Sequence, residues 1–305
     1  MTVYEKLRRR PATFRSLTGM TVKEFEQMYE RVVGDIASYE EKRLRRPDRK
    51  RAVGGGASHS LDEGNRLLLA LIWLRVYPTY EVLGFIFNLH KSNVSRNLKP
   101  ILDILSKHLE IEWPDKTERR KKSLNEFMQD FPDVTVIVDA TEQPTYRPTD
   151  RDTQKRYYSG KKKRHTLKTQ VLVLPDGTVA GFSDTVPGSQ HDKSLFDASG
   201  VTDQLDPDEA IMGDSGYQGI QHDHRAVLPD KKPRGGELTD DQKARNHRVS
   251  QARIVVENTI AQLKTFRVLS DRYRQPRASH HQAFGIVAGL VNLRFERRPL
   301  RAVLS

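Results

Sequence analysis

The chain has 305 residues, with 52 Lys and Arg against 40 Asp and Glu, a formal net charge of +12 and a pI near 9.8. Such a surplus points to a polyanionic partner, nucleic acid ahead of an anionic membrane surface, because bound cations release counterions from a phosphate backbone. The absence of cysteine excludes disulfides and thiolate metal sites and fits a cytoplasmic protein, and no apolar run approaches the roughly 18 residues of a membrane span.

The length suits two domains. MTVYEKLRRRP, at the start, lacks the apolar core of a signal peptide. Residues 1–60 carry 14 Lys/Arg and 8 Asp/Glu, half of the whole surplus. Within them, 21–36 reads as a helix capped by Thr21, with Phe25, Met28, Val32 and Ile36 on one face. The basic, glycine-rich stretch that follows reads as a flexible arm. LDEGNRLLLALIWLRVYP is a buried helix stopped by Pro78. A short helix over Thr79–Phe87, a tight connection at Asn88–His90 and a second helix from Lys91 or Ser92 then have the helix-turn-helix layout. The second helix would present Lys91, Ser92, Asn93, Ser95, Arg96 and Asn97 outward to DNA. A helical unit that only packs on its neighbour would read much the same.

Residues 113–130 read as a linker. Beyond it, VTVIVDAT (134–141) is a continuous β-branched strand of the kind buried on both faces. Two more strands flank the Asp176–Gly177 turn. A short helix over 191–201, a strand at EAIMGDSGY (209–217), a long helix from about Asp241 to Val268 and a last apolar helix over 280–297 complete the chain. The order predicts an α/β fold, a mixed sheet flanked by helices, preceded by an all-α helix-turn-helix domain over 61–112.

Asp139 ends the first strand, directly after its apolar run, and Asp214 ends the fourth. Groups just past strand ends converge where α/β sheets bind ligands. Glu257 lies in RIVVENTIAQLK, on a helix whose apolar face must pack on the sheet. Taken singly, each acid reads as a turn, cap or half-exposed residue. Three carboxylates meeting at one point would repel one another unless a cation resolves the conflict. Mg²⁺ or Mn²⁺ suits an all-oxygen site, and two ions can serve in-line displacement at phosphorus.

VDATEQP, GDSGYQG and VENTIAQLK resemble the three acidic motifs of the DDE-superfamily transposases, in the insertion-sequence and Harbinger-like branch. YYSGKKKRHTLKTQVLV and VPGSQHDKSLF are similar to further blocks of the same family, in the same order, over about residues 130–297. The resemblance implies an RNase H-like catalytic domain over 131–299, with Asp139, Asp214 and Glu257 as catalytic metal ligands for Mg²⁺ or Mn²⁺, two ions in all. It also implies cleavage of transposon ends and strand transfer into target DNA by hydroxyl attack on phosphodiesters. His191 and Asp192 match an accompanying pair, read as support for the site, and Glu142 reads as a turn residue.

Residues 147–168 hold nine Lys/Arg and two Asp beside Asp139. Arg156, Lys161, Lys162, Lys163, Arg164 and Lys168 would grip phosphates there, with Tyr157 and Tyr158 free to stack on an unpaired base. A solvated surface is the plainer alternative. On the late helix, Arg253 and Lys264 would steer phosphates from the Glu257 face. The expected partner is double-stranded DNA, both transposon ends and target, bound by a homodimer without a membrane and associated with the nucleoid in a bacterium. The alternatives are a stand-alone metal-dependent endonuclease of the same fold and a non-catalytic helix-turn-helix regulator.

Overall fold

The computed structural model describes residues 1–44, 61–122 and 129–297. Two compact units emerge, one of residues 1–110, 265–271 and 282–287, the other of residues 111–264, 272–281 and 288 onward.

The first unit carries α1 (Val3–Arg8), α2 (Pro11–Thr18), α3 (Val22–Leu44), α4 (Glu63–Val76), α5 (Tyr80–Phe87) and α6 (Lys91–His108). A reciprocal cap starts α3: Thr21 Oγ1 accepts from the Glu24 amide at 3.2 Å, and the Glu24 carboxylate accepts from the Thr21 amide at 2.7 Å. The expected stripe of Phe25, Met28, Val32 and Ile36 is buried. Helix α4 is buried continuously from Asn65 to Leu74, all round its circumference, and α2, α3 and α6 pack against it. Its one fully enclosed cation, Arg66, meets Glu40 at 2.7 Å. Because α1–α3 pack on the helices that follow, residues 1–44 share a unit with 61–110, where the charge run suggested a separate segment. The arm expected before residue 60 falls on residues 45–60, outside the described residues.

Helices α5 and α6 form the expected helix-turn-helix. Thr79 Oγ1 caps α5 through the Val82 amide, and Asn88 ends it in the left-handed region at φ 52°. The Leu89 amide then bonds back to the Gly84 carbonyl at 2.8 Å. This reversal needs a glycine at 84, since a Cβ there would overlap the Leu89 carbonyl. Val94, Leu98 and Ile101 bury one face of α6 and leave Lys91, Ser92, Ser95 and Arg96 exposed, with Asn93 and Asn97 half-buried.

The second unit is built on a seven-stranded mixed sheet of β1 (Val134–Pro144), β2 (Tyr158–Ser159), β3 (Arg164–Val173), β4 (Val179–Phe182), β5 (Val186–Pro187), β6 (Ala210–Met212) and β7 (Ala226–Val227). Its order is β2-β3-β1-β6-β7, with β4 and β5 also pairing β3. The pairs β1/β3 and β3/β4 are antiparallel, whereas β1/β6 and β6/β7 are parallel. This is the mixed sheet that the order of elements predicts, and an antiparallel meander extended by parallel strands is the RNase H-like arrangement that the family resemblance implies.

Helices α7 (Lys116–Lys122), α8 (Arg151–Tyr157), α9 (Asp192–Ala198), α10 (Asp240–Lys264) and α11 (His280–Arg297) accompany the sheet. Val136, Val138, Leu172, Phe196, Ile211 and Tyr217 belong to one buried cluster. The segment expected as a linker carries α7, whose Arg119 is 3% exposed and forks onto fully buried Glu209 through Nε, at 2.9 Å, and Nη2. Residues 113–122 therefore belong to the second unit. Helix α11 is tied to the sheet at both ends. The His280 ring bonds Gln143 at 2.7 Å and Thr185 at 2.8 Å, and the Asn292 amide exchanges both hydrogen bonds with the Val179 backbone.

Candidate active site

The ladder between β1 and β6 sets the site. Ile137 pairs with Met212 in the parallel register, and Asp139 and Asp214 each stand two residues further on. Both strands run the same way, so the same step carries both acids past the end of β6 side by side. Asp139 is not the last residue of its strand. β1 continues to Pro144 because its pairing with β3 persists after β6 has ended, and Asp139 pairs with Val171 in that ladder. It sits where β1 loses its parallel neighbour, an open corner of the sheet.

Asp214 leaves β6 as the cap of a 3-10 turn over Ser215–Tyr217, its Oδ1 accepting from the Gly216 amide at 2.8 Å. Burial pushes the Asp139 carboxyl up. The charge of Asp214 pushes the same way, while the Ala140 amide, at 2.8 Å, Arg253 and Lys161 oppose it. The two carboxylates thus lie close enough to repel.

Asp192, the first residue of α9, approaches from a third side. A Cβ built on Gly216 would meet Asp192 Oδ2 and Asp214 Oδ1, both at 2.9 Å, so the two carboxylates flank one point. Lys168, on β3, donates to Asp192 at 2.8 Å and to the Gln190 carbonyl at 2.6 Å. It is 7% exposed. Its charge is therefore used inside the site and is not offered to DNA, as the charge run suggested. His191 occupies the cap position of α9, but its side chain makes no cap bond. It lines a cavity of about 320 Å³ beside the site with Ala140, Glu142, Tyr158, Lys161 and Asp192. Glu142 is a strand residue, not a turn residue, and accepts from Thr166 at 2.6 Å.

Helix α10 crosses β1 and β3. Its buried face is Val249, Ala252, Val255, Val256, Thr259 and Leu263. Arg253 Nη2 lies 3.6 Å from Asp139 Oδ2, with its Nε buried and unpartnered. Burial and Lys162 push Lys264 down, and Asp139 and Glu142 pull the other way. Glu257 is exposed. At i+4 from Arg253 and i−7 from Lys264 it shares their stripe, between two cations that both sense Asp139. Among the described residues no three His, Asp or Glu side chains gather closely enough to hold an ion. The structure sets Asp139 beside Asp214 and Asp192 beside Asp214 across Gly216, and leaves Glu257 exposed on α10.

The basic segment is more ordered than a loop. It contains α8 and β2, and Lys163 adopts φ 52° in the turn between β2 and β3. Arg156, Lys161, Lys162, Lys163 and Arg164 are exposed. Arg277 covers the Tyr157 ring at 4.4 Å, so Tyr157 is not free to stack, whereas Tyr158 is 43% exposed and meets His165 edge-on. The residue that the sequence left without a role is Tyr217. It lies inside GDSGYQG, and only an aromatic directly after a Ser-Gly turn hinted at it.

The donor set is all oxygen, and the Asp139–Asp214 pair carries repulsion that a hard divalent cation would relieve, so these two residues fit such an ion. The family described as DDE superfamily endonuclease matches residues 138–292, and the helix-turn-helix of DDE superfamily endonuclease matches residues 59–111. A protein from Microchaete diplosiphon, named as a probable transposase for an insertion sequence element, is 31% identical over 279 residues, 91% of each chain. A second protein, from Streptomyces albus G and named "putative transposase" for another insertion sequence element, is 27% identical over 237 residues, 77% of this chain and 82% of its own. No solved structure matches the chain significantly.

Proposed function

The chain belongs to the DDE superfamily endonucleases, and on that premise we propose that it is an insertion-sequence transposase with Asp139 and Asp214 at its reaction centre. The observation that carries the reading is the β1/β6 register, which sets the two aspartates side by side at an open corner of the sheet.

Asp139 and Asp214 would hold the divalent cation, with Glu257 joining them from α10. A cation so held supplies Lewis-acid charge to the oxygens of an in-line phosphodiester displacement. Mg²⁺ or Mn²⁺, as two ions, is the proposed identity. Asp192, anchored by Lys168, buttresses Asp214 across Gly216. Arg253, 3.6 Å from Asp139, offsets its charge in the fold, and with Lys264 it would steer backbone phosphates toward the pair. The exposed cations of residues 156–164 grip the strand beside the cut, and Tyr158, at the rim of the 320 Å³ cavity, takes an unpaired base. The start of α6, with exposed Lys91, Ser92 and Arg96 and half-buried Asn93, reads the element's ends in a DNA groove. Two ends must be brought to one target, so the working form is a homodimer on DNA. No helix among the described residues is long and apolar enough to cross a membrane. Because its substrate is DNA, the proposed site of action is the cytoplasm, at the nucleoid if the host is a bacterium.

The test incubates the purified protein with labelled element ends, a target plasmid and Mn²⁺. A transposase joins the labelled 3′ ends to the plasmid, whereas an endonuclease only releases them. Joined product that is lost in Asp139→Ala and in Asp214→Ala supports the reading, and joining that survives in both would overturn it.

A further inference from the structure

Tyr217 closes the 3-10 turn that follows Asp214, and it is fully buried. Its amide donates to the Asp214 carbonyl at 3.1 Å. Its ring meets Phe196 of α9 edge-on, with centroids 6.1 Å apart. Gly213 lies against the other side, where a Cβ would come within 3.2 Å of Tyr217 atoms. The ring is thus wedged between Gly213, which joins β6 to Asp214, and α9, which begins with Asp192.

The hydroxyl at the end of this ring is buried without a hydrogen-bond partner. Asp192, Asp139 and Asp214 all act on it electrostatically, and Arg253 acts in the opposite sense. An unmade hydrogen bond in the interior costs stability. Phenylalanine would fill the same space against Phe196 and Gly213 without that cost, so packing alone does not account for the oxygen. The hydroxyl is a buried donor without an acceptor, at the end of a ring held between the Asp214 turn and α9.

Resting on the reading of Asp139 and Asp214 as a cation-holding pair, we propose that Tyr217 is a positioning residue of that centre. Its hydroxyl donates to a carboxylate of the Asp139–Asp214–Asp192 cluster in the cation-bound state and fixes the orientation of that carboxylate. Partners one shell out from a metal orient its ligands in this way, and their loss weakens binding by about 10–100-fold.

The experiment follows thermal unfolding of the full chain against Mn²⁺ concentration for the wild type, Tyr217→Phe and the double variant Asp139→Asn/Asp214→Asn. Without Mn²⁺, Tyr217→Phe is expected to melt at the wild-type temperature or above it, because it removes an unsatisfied buried oxygen. With Mn²⁺, its half-saturating concentration is expected to rise about tenfold. Wild-type Mn²⁺ dependence in Tyr217→Phe would overturn the inference. So would a lower melting temperature without Mn²⁺, which would mean that the hydroxyl is already bonded in the fold. A double variant that responds to Mn²⁺ as the wild type does would instead sink the cation-holding pair, and the role of Tyr217 with it.

Discussion

Asp139 and Asp214 are held side by side by a ladder that contains neither of them as a pair. Ile137 and Met212 are the last partners of β1 and β6, and both acids lie two residues beyond. Alternation along a strand gives residues i and i+2 the same face. Any change that slips β6 by one residue would therefore turn the neighbourhood of Asp214 to the opposite face while Asp139 stays fixed. The geometry of the site is a property of the core strands, whose residues at Val136, Ile137, Ile211 and Met212 are all fully buried.

His280 makes stability depend on pH in a defined window. Burial, with a smaller contribution from His281, pushes the ring down to about 4 from its ordinary 6.5. The native ring is neutral and bonded to Gln143 and Thr185. Between those two values the unfolded chain takes up a proton that the native chain does not. Stability is therefore full above 6.5, falls as pH drops toward 4 and loses up to about 3 kcal/mol through this group. Urea unfolding at pH 7 and pH 4.5 measures it. The wild type should lose more than His280→Gln over that interval, and parallel losses would refute the assignment.

Two glycines should answer oppositely to alanine. A Cβ at Gly84 overlaps the Leu89 carbonyl in the helix-turn-helix connection, whereas a Cβ at Gly34, inside α3, meets nothing within 4 Å. Gly84→Ala should destabilise by about 1–3 kcal/mol and weaken DNA binding, since overpacking forces the turn to move. Gly34→Ala should stabilise by about 0.5–1 kcal/mol through the helix backbone alone. Chemical denaturation of both variants, with binding to an end fragment for the first, checks the pair.

Arg119 and Glu209 predict a large single and a small double effect. Arg119→Ala leaves Glu209, fully buried, without its main counter-charge and should cost about 3–5 kcal/mol. Arg119→Met with Glu209→Leu removes both charges and should recover most of that loss. A double variant as unstable as the single one would show that the pair is not the origin of the cost.

What the sequence reveals follows from how far each signal reaches. The β1 run and the apolar helix at 280–297 are legible because their buried residues are consecutive or periodic. The two-residue strands β2, β5 and β7 carry no period at all. Asp139 reads as a strand end because the apolar run stops there, yet β3 holds Thr141, Glu142 and Gln143 in the ladder. Lys168 belongs to a basic run by composition and to the interior by its place on β3, which is buried on both faces from Thr166 onward. Glu257 follows Val255 and Val256, but each residue turns the helix by about 100°, which brings it out of the buried face. Its stripe, shared with Arg253 and Lys264, is visible in the spacing; the side on which that stripe meets Asp139 is set by tertiary packing.

Substitution of Fe²⁺ for the native cation tests the central claim most directly. With ascorbate and peroxide, Fe²⁺ held by the Asp139–Asp214 pair generates radicals that cut the nearest backbone, and the fragments can be mapped. The account predicts cuts around residue 139, around residue 214 and in α10 near residue 257, all suppressed by excess Mg²⁺ and by Asp139→Asn. Cuts that cluster elsewhere, or that persist unchanged in Asp139→Asn, would contradict it.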